Sequence, residues 1–144
     1  MTALTDPVTP LERYPHRIVE SIRYNDTDRQ GHVNNAVFAT FCEAGRVNFL
    51  HSLRRPDDGP EMWFVLARLV LDYRRELLWP GSVEIGTRVL KVGRTSLTLA
   101  QGLFCDGHCV ATAETVVVHV DPEARRPVPL PAAALAHIEA LASA

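Results

Sequence analysis

Phe38, Phe41, Cys42, Gly45 and Phe49 fall at i, i+3, i+4, i+7 and i+11, the spacing of one buried face on a helix. This stripe predicts the longest helix of the chain, running from Ala36 to about Leu53. Asn34 or Asn35 is its N-cap, because a short polar side chain accepts from the otherwise unpaired amides of the first turn. The remaining pattern is mostly strand-like. Arg17 to Tyr24 alternates Ile18, Glu20 and Ile22 with Val19, Ser21 and Arg23, a first strand with mixed faces. Trp63 to Tyr73, Ser82 to Val92, Thr95 to Cys105 and His108 to Val120 are rich in β-branched and aromatic residues and predict four more strands. Ala132 to Ala144 is alanine-rich and predicts a short peripheral helix.

Turn residues punctuate these elements. Arg54 to Pro60 is a loop with a helix-stopping proline. Pro80-Gly81 suits a type II turn, Gly93-Arg94 a II′ hairpin and Asp106-Gly107 a I′ hairpin. With a two-residue turn at Asp106-Gly107, Cys105 faces His108, Phe104 faces Cys109, Leu103 faces Val110 and Ala100 faces Ala113. One sheet face then carries Leu97, Leu99, Leu103, Val110, Val116 and Val118. The other carries Ala100, Gly102, Ala111 and Ala113, small enough for a helix to approach closely. The large apolar face would need another cover or a partner subunit.

Length and charge narrow the classes. The 144 residues suit a single domain with its own core. A net charge of -2 provides no basic field for nucleic acid and no polybasic patch for a membrane surface. No apolar run is long enough to span a bilayer, and Met1 to Pro15 has no signal-peptide core, so a cytoplasmic location is expected. Three cysteines fit reduced thiols better than a disulfide framework. Cys105 and His108 fall on the opposite face from Cys109 in the hairpin, which removes a zinc or redox reading. Cys42, on the helical stripe, reads as core.

The chemistry concentrates in Tyr24-Asn25-Asp26-Thr27-Asp28-Arg29-Gln30-Gly31-His32-Val33-Asn34-Asn35, directly before the helix. A carboxylate there stands near free backbone amides and the positive end of a helix dipole, where it can attack an acyl carbon or take a proton from water. The competing reading makes Asp26 and Asp28 turn acids that bond nearby backbone groups. His32 is either an acid-base group or a loop-fixing residue; no second histidine stands at metal-ligand spacing, and no metal site is expected. Glu43 and Arg46, three apart on the helix, either pair or leave Glu43 as a functional carboxylate beside the apolar stripe. Arg88, Lys91, Arg94 and Ser96 cluster around Gly93, either as solvated hairpin residues or as contacts for a phosphate-bearing ligand.

Taken together, Tyr24-x-Asp26-Thr27-Asp28-x-x-Gly31-His32-Val33-Asn34-Asn35, then Phe38, Glu43 and Arg46, resembles the hotdog-fold thioesterases, and within them the acyl-CoA thioesterases of the 4-hydroxybenzoyl-CoA type. Leu71-Asp72-Tyr73-Arg74-Arg75 before Pro80-Gly81, and Gly93-Arg94-Thr95-Ser96, add to it. The resemblance implies an α+β hotdog fold: a long central helix wrapped by a five-stranded antiparallel sheet, with a short C-terminal helix. It divides the chain into an N-terminal arm (1–14), a thioesterase domain (15–131) and a peripheral helix (132–144). It implies hydrolysis of an acyl-CoA or acyl carrier protein thioester with no cofactor, coenzyme A being part of the substrate. The catalytic positions it implies are Asp28 as the acid, the amide at or near Asn35, and His32. The substrate-binding positions are Tyr24, Gly31, Asn34, Phe38, Glu43, Trp63, Arg88, Lys91, Arg94 and Ser96. A homodimer or homotetramer with sites built from two subunits is also implied. Phe38 departs from the tyrosine of many relatives, and Met62-Trp63-Phe64 puts bulk where the acyl pocket is bordered. A non-catalytic acyl-binding hotdog protein and a hotdog hydratase are the alternatives.

Overall fold

The computed structural model describes residues 8–142; the first seven residues of the expected arm and the last two of the C-terminal helix lie outside the described residues. The elements in order are β1 (His16–Ser21), α1 (Asn35–Ser52), β2 (Trp63–Tyr73), β3 (Ser82–Val92), β4 (Ser96–Cys105), β5 (His108–Asp121), β6 (Arg126–Pro127) and α2 (Ala132–Ala142). All strand pairs are antiparallel, in the order β1-β3-β4-β5-β2, with the two-residue β6 added to β5. This is the expected α+β arrangement, five main strands against a long central helix. β2 forms an edge of the sheet.

Helix α1 starts where the sequence places it. The Asn34 side chain accepts from the Ala36 amide at 3.0 Å, making it the N-cap, a contact worth about 1 kcal/mol. Phe38, Phe41, Cys42, Gly45 and Phe49 are all buried, with Arg46 among them. The stripe feeds two apolar clusters. Phe38, Phe41 and Cys42 pack with Ile85, Leu103 and Val110 at one end. Phe49 and Leu53 pack with Leu97, Leu99, Val117, Leu130 and Ile138 at the other. Between them Gln101 Nε2 donates to Cys42 O at 2.9 Å and to Thr87 Oγ1 at 3.0 Å. Gly45 permits this approach: a Cβ there would collide with Ile85 and come within 3.0 Å of Gln101 Nε2. Ile138 belongs to α2, which is also tied to the 54–60 loop by His137 and Asp58 at 2.9 Å.

The Asp106-Gly107 turn has the expected positive φ at both residues, 50° and 79°, and pairs Cys105 with His108 and Phe104 with Cys109. Beyond that the expected register fails by one residue. Leu103 pairs with Ala111 and Ala100 with Glu114, because Val110 is an extra residue in a β-bulge. Its carbonyl accepts from the amides of Arg74 at 2.9 Å and Arg75 at 3.1 Å, where the chain leaves β2. Side-chain parity on β5 is therefore reversed. Ala111, Ala113, Thr115 and Val117 are buried, while Val116 and Val118 lie on the other face.

The expected covering of the faces is reversed as well. Helix α1 lies on the face carrying Ile85, Leu97, Leu99 and Leu103, and the large side chains meet it. The small residues on the opposite face admit Tyr14. A Cβ on Gly86 would lie 2.5 Å from Tyr14 Cγ, and one on Gly102 2.9 Å from Tyr14 Oη. Two turn types also differ. Gly81 has φ 157°, away from the roughly 80° of a type II turn. Gly93 is not among the positive-φ residues, and its amide donates to Ser96 O at 2.8 Å with Val92 opposite Leu97, so the chain turns at Arg94-Thr95, one residue later than expected, and Gly93-Arg94 is not a II′ turn.

Candidate active site

The loop before α1 separates its two acids by two residues and by environment. Asp26 is 2% exposed; its Oδ2 accepts from the Arg23 amide at 2.7 Å and its Oδ1 from the Arg23 guanidinium at 2.9 and 3.2 Å. Burial pushes its pKa up, but the hydrogen bonds and charge of Arg23 outweigh that and hold the carboxyl below its usual range. Its backbone carbonyl also accepts from the Asn34 amide at 2.8 Å. Asp26 is thus a structural acid that fixes the approach to the helix.

Asp28 is exposed, and its Oδ1 accepts from the amides of Gln30 at 2.9 Å and His32 at 3.3 Å. The backbone closes the same turn, Asp28 N donating to His32 O at 2.8 Å and Gly31 N to Asp28 O at 3.0 Å. Gly31 takes φ 82°, in the left-handed region that glycine enters without strain. Among the described residues Oδ2 takes no hydrogen bond. One oxygen sets the turn and the other is unbonded among the described residues.

The segment 32–33 is strapped to the loop between β2 and β3. His32 bridges to Leu78 and the Val33 amide donates to Leu77 O at 2.8 Å. This strap brings Glu76 to His32, with Oε2 2.9 Å from Nε2. On the helix side the Asn34 carbonyl accepts from Val37 N at 2.9 Å, and the Asn34 side chain takes Ala36 N. The Asn35 amide has no acceptor among the described residues. Tyr73 Oη donates to the Asn35 carbonyl at 2.9 Å and its ring meets Phe38 edge-on at 5.0 Å. A cleft of about 430 Å³ gathers Asp28, His32, Asn35, Phe38, Tyr73 and Glu76. It thus combines a carboxylate, a histidine-carboxylate pair and a free amide at a helix N-terminus.

The sequence-derived positions divide accordingly. Asp28, His32, Asn35 and Phe38 meet in the cleft, Gly31 shapes its rim and Asn34 caps the helix. Tyr24 stands outside the cleft lining, 73% exposed and edge-on to Trp79 at 5.2 Å. Glu43 and Trp63 line a different groove, farther along α1, and Glu43 forms no ion pair with Arg46 among the described residues. Arg88 lies over the Tyr14 ring at 5.8 Å on the outer sheet face. Lys91, Arg94 and Ser96 flank the β3–β4 connection, at the far end of β3 from Ser82, whose partner Ser21 leads into the acid-bearing loop. A single chain does not bring these four to Asp28. Sequence reasoning misses Tyr73 and Glu76 as site residues. The Leu71-to-Arg75 motif points to the region, but only the strap to residues 32–33 reveals what it touches. Among the described residues no three His, Cys, Asp or Glu side chains group as a metal site, and no helix is long and apolar enough to cross a membrane.

Comparison with known proteins identifies the family. A family model described as the thioesterase-like superfamily matches residues 22–138. The acyl-CoA thioester hydrolase YbgC of Escherichia coli O6:H1 is 28% identical over 135 residues, covering 91% of this chain and 98% of its own. A thioesterase from Thermus thermophilus, solved in complex with coenzyme A and Zn, is 34% identical with a TM-score of 0.81, over 92% of this chain and 98% of that one. The PA5185 protein of Pseudomonas aeruginosa PAO1 superposes with a TM-score of 0.82 at 28% identity, over 94% and 96% of the two chains. With the family model spanning most of the sequence and the fold shared over 92% of the chain, this chain belongs to the thioesterase-like superfamily, as a hotdog-fold thioester hydrolase.

Proposed function

We propose that the protein hydrolyses acyl-CoA thioesters, with Asp28 as the reacting carboxylate and the Asn35 amide as the donor to the thioester oxygen. The observation that carries this reading is the cleft itself: a carboxylate with one unbonded oxygen shares it with a helix-terminal amide that has no acceptor. A carbonyl oxygen seated on that amide gains stabilisation as it becomes an oxyanion, helped by the positive end of α1. Asp28 then either attacks the carbonyl carbon, giving an anhydride that water cleaves, or takes the proton of an attacking water. The leaving thiolate needs a proton, and His32, polarised by Glu76, is the donor beside it. The YbgC and Thermus relatives support coenzyme A as the thiol; an acyl carrier protein is the other carrier to test.

The test is thiol release from a panel of acyl-CoAs. Asp28→Asn should lower kcat by about 10²–10⁴-fold. Because its carboxylate bonds only loop amides, stability should change by no more than about 0.5 kcal/mol. Hydrolysis at the wild-type rate would remove Asp28 from the chemistry. Binding without thiol release in the wild type would favour a non-catalytic acyl-binding protein.

A homodimer formed along β2 is part of this proposal. The edge strand leaves backbone donors and acceptors unpaired and exposes Trp63, Val65, Leu66, Val70 and Tyr73 to between 38% and 53%. A twofold antiparallel pairing about the middle of β2 would set the Trp63 end of one subunit beside the Tyr73 end of the other. Each cleft would then border the partner's groove. Light scattering giving a stable monomer would overturn the pairing.

A further inference from the structure

The groove farther along α1 has about 440 Å³, with Val47, Leu50, Met62, Trp63 and Phe64 among its lining. Arg46 lines it too. That side chain is 6% exposed, and its Nη1 is closed off from solvent with no hydrogen-bond partner. Among the described residues Arg46 makes no hydrogen bond and no ion pair, although Glu43 stands one helical turn away in the same lining. A guanidinium stays protonated at neutral pH, so this is a buried positive charge that Glu43 influences at a distance but does not pair. Leaving it so is strongly unfavourable. Its planar fork is suited to two parallel bonds with a carboxylate; the apolar side chains of the groove can cover methylene groups, and Glu43, His51, Arg54 and Glu61 also stand in its lining.

We propose that Arg46 receives a carboxylate at the far end of the acyl group, so that the preferred substrates are CoA monothioesters of dicarboxylic acids. The inference rests on the thioesterase reading and names the substrate class for it. The cleft and the groove lie at the two ends of the seam between α1 and β2, Phe38 and Tyr73 at one end, Leu50 and Phe64 at the other. An acyl chain leaving the cleft runs along this seam or, across a β2–β2 pairing, into the partner's copy of the groove.

The experiment compares kcat/KM for CoA thioesters of dicarboxylic acids with those of monocarboxylic acids of matched length, from short to medium chains. The wild type should favour the carboxylated ester by about 10–100-fold at its best length, and Arg46→Met should bring that ratio close to one, with Arg46→Lys in between. A wild type with no preference at any length overturns the inference while the thioesterase reading stands; this is the result expected if a partner subunit's carboxylate occupies Arg46. If neither series is hydrolysed, the thioesterase reading falls, and calorimetric binding of the same esters decides. Tighter wild-type binding of the carboxylated ester, lost in Arg46→Met, supports the groove assignment, and equal binding refutes it.

Discussion

The two ends of the α1–β2 seam treat polar groups in opposite ways. Around the first turn of α1, Asp26 is bonded to Arg23, Asn34 to the Ala36 amide, His32 to Glu76 and Tyr73 to the Asn35 carbonyl. Three turns later on the same helix, Arg46 Nη1 is buried without a partner among the described residues, as are Gln101 Oε1 and Thr115 Oγ1 from the sheet beneath. The first region is held rigid by its own bonds, and among the described residues Asp28 Oδ2 and the Asn35 amide take none of them, the two groups the proposed reaction uses. Its geometry precedes binding, as electrostatic stabilisation of an oxyanion requires. The second carries unspent hydrogen-bonding capacity and gains most from whatever arrives.

If the middle of α1 is strained by its charge, Arg46→Met should leave stability unchanged or raise it by up to about 4 kcal/mol, since well-packed apolar replacements of buried charges are often neutral or stabilising. Chemical denaturation checks this, and a large loss would mean that Arg46 is already satisfied. Asp26→Asn should act in the opposite direction, costing about 1–3 kcal/mol through the lost charge-assisted bonds. The backbone bond at 2.7 Å carries more of this than the ion pair, because the Arg23 side chain is 67% exposed and screened by water. Asp26 has a lowered pKa in the folded state, so its contribution is complete above the ordinary carboxyl value of 3.8 and disappears as pH falls through the folded value. Denaturation across acidic pH should show the wild type losing its advantage over Asp26→Asn below about pH 4, with little change above it. The smallest effect is expected from Tyr73→Phe, about 0.5–1.5 kcal/mol of stability. If the hydroxyl also aims the first turn of α1, kcat falls more than KM rises. A pure stability loss would reduce Tyr73 to packing.

What the chain reveals in advance is whatever repeats or caps locally. The α1 stripe, the Asn34 cap and the Asp106-Gly107 turn depend on neighbours within a few residues, and all three are present. The candidate loop is legible as a cluster of chemistry-bearing residues, and Asp28, His32, Asn35 and Phe38 do share one cleft. Glu76 and Tyr73 are not legible as their companions, since they reach the loop through pairings across some forty residues. Val110 gives no local sign of a bulge. A valine between a cysteine and an alanine reads as regular strand, and its departure is fixed by two amides arriving from β2. The charged residues near Gly93 form a cluster in sequence, yet Arg88 turns to Tyr14 while Lys91 and Arg94 stay at the β3–β4 connection.

That bulge bears on which changes of length this fold can tolerate. Val110 is the extra residue of β5, so deleting it would let Cys109 and Ala111 follow one another as regular strand opposite Phe104 and Leu103, leaving Ala113, Thr115 and Val117 facing α1 as before. A single-codon deletion there would therefore cost one inward valine and the carbonyl that receives the Arg74 and Arg75 amides, whereas a deletion in the regular part of the strand would exchange inside for outside beyond it. The same deletion in the 54–60 loop would only shorten a connection. Away from the bulge, residue count along β5 is itself inherited information, and there variants of this protein can drift in composition more freely than in length.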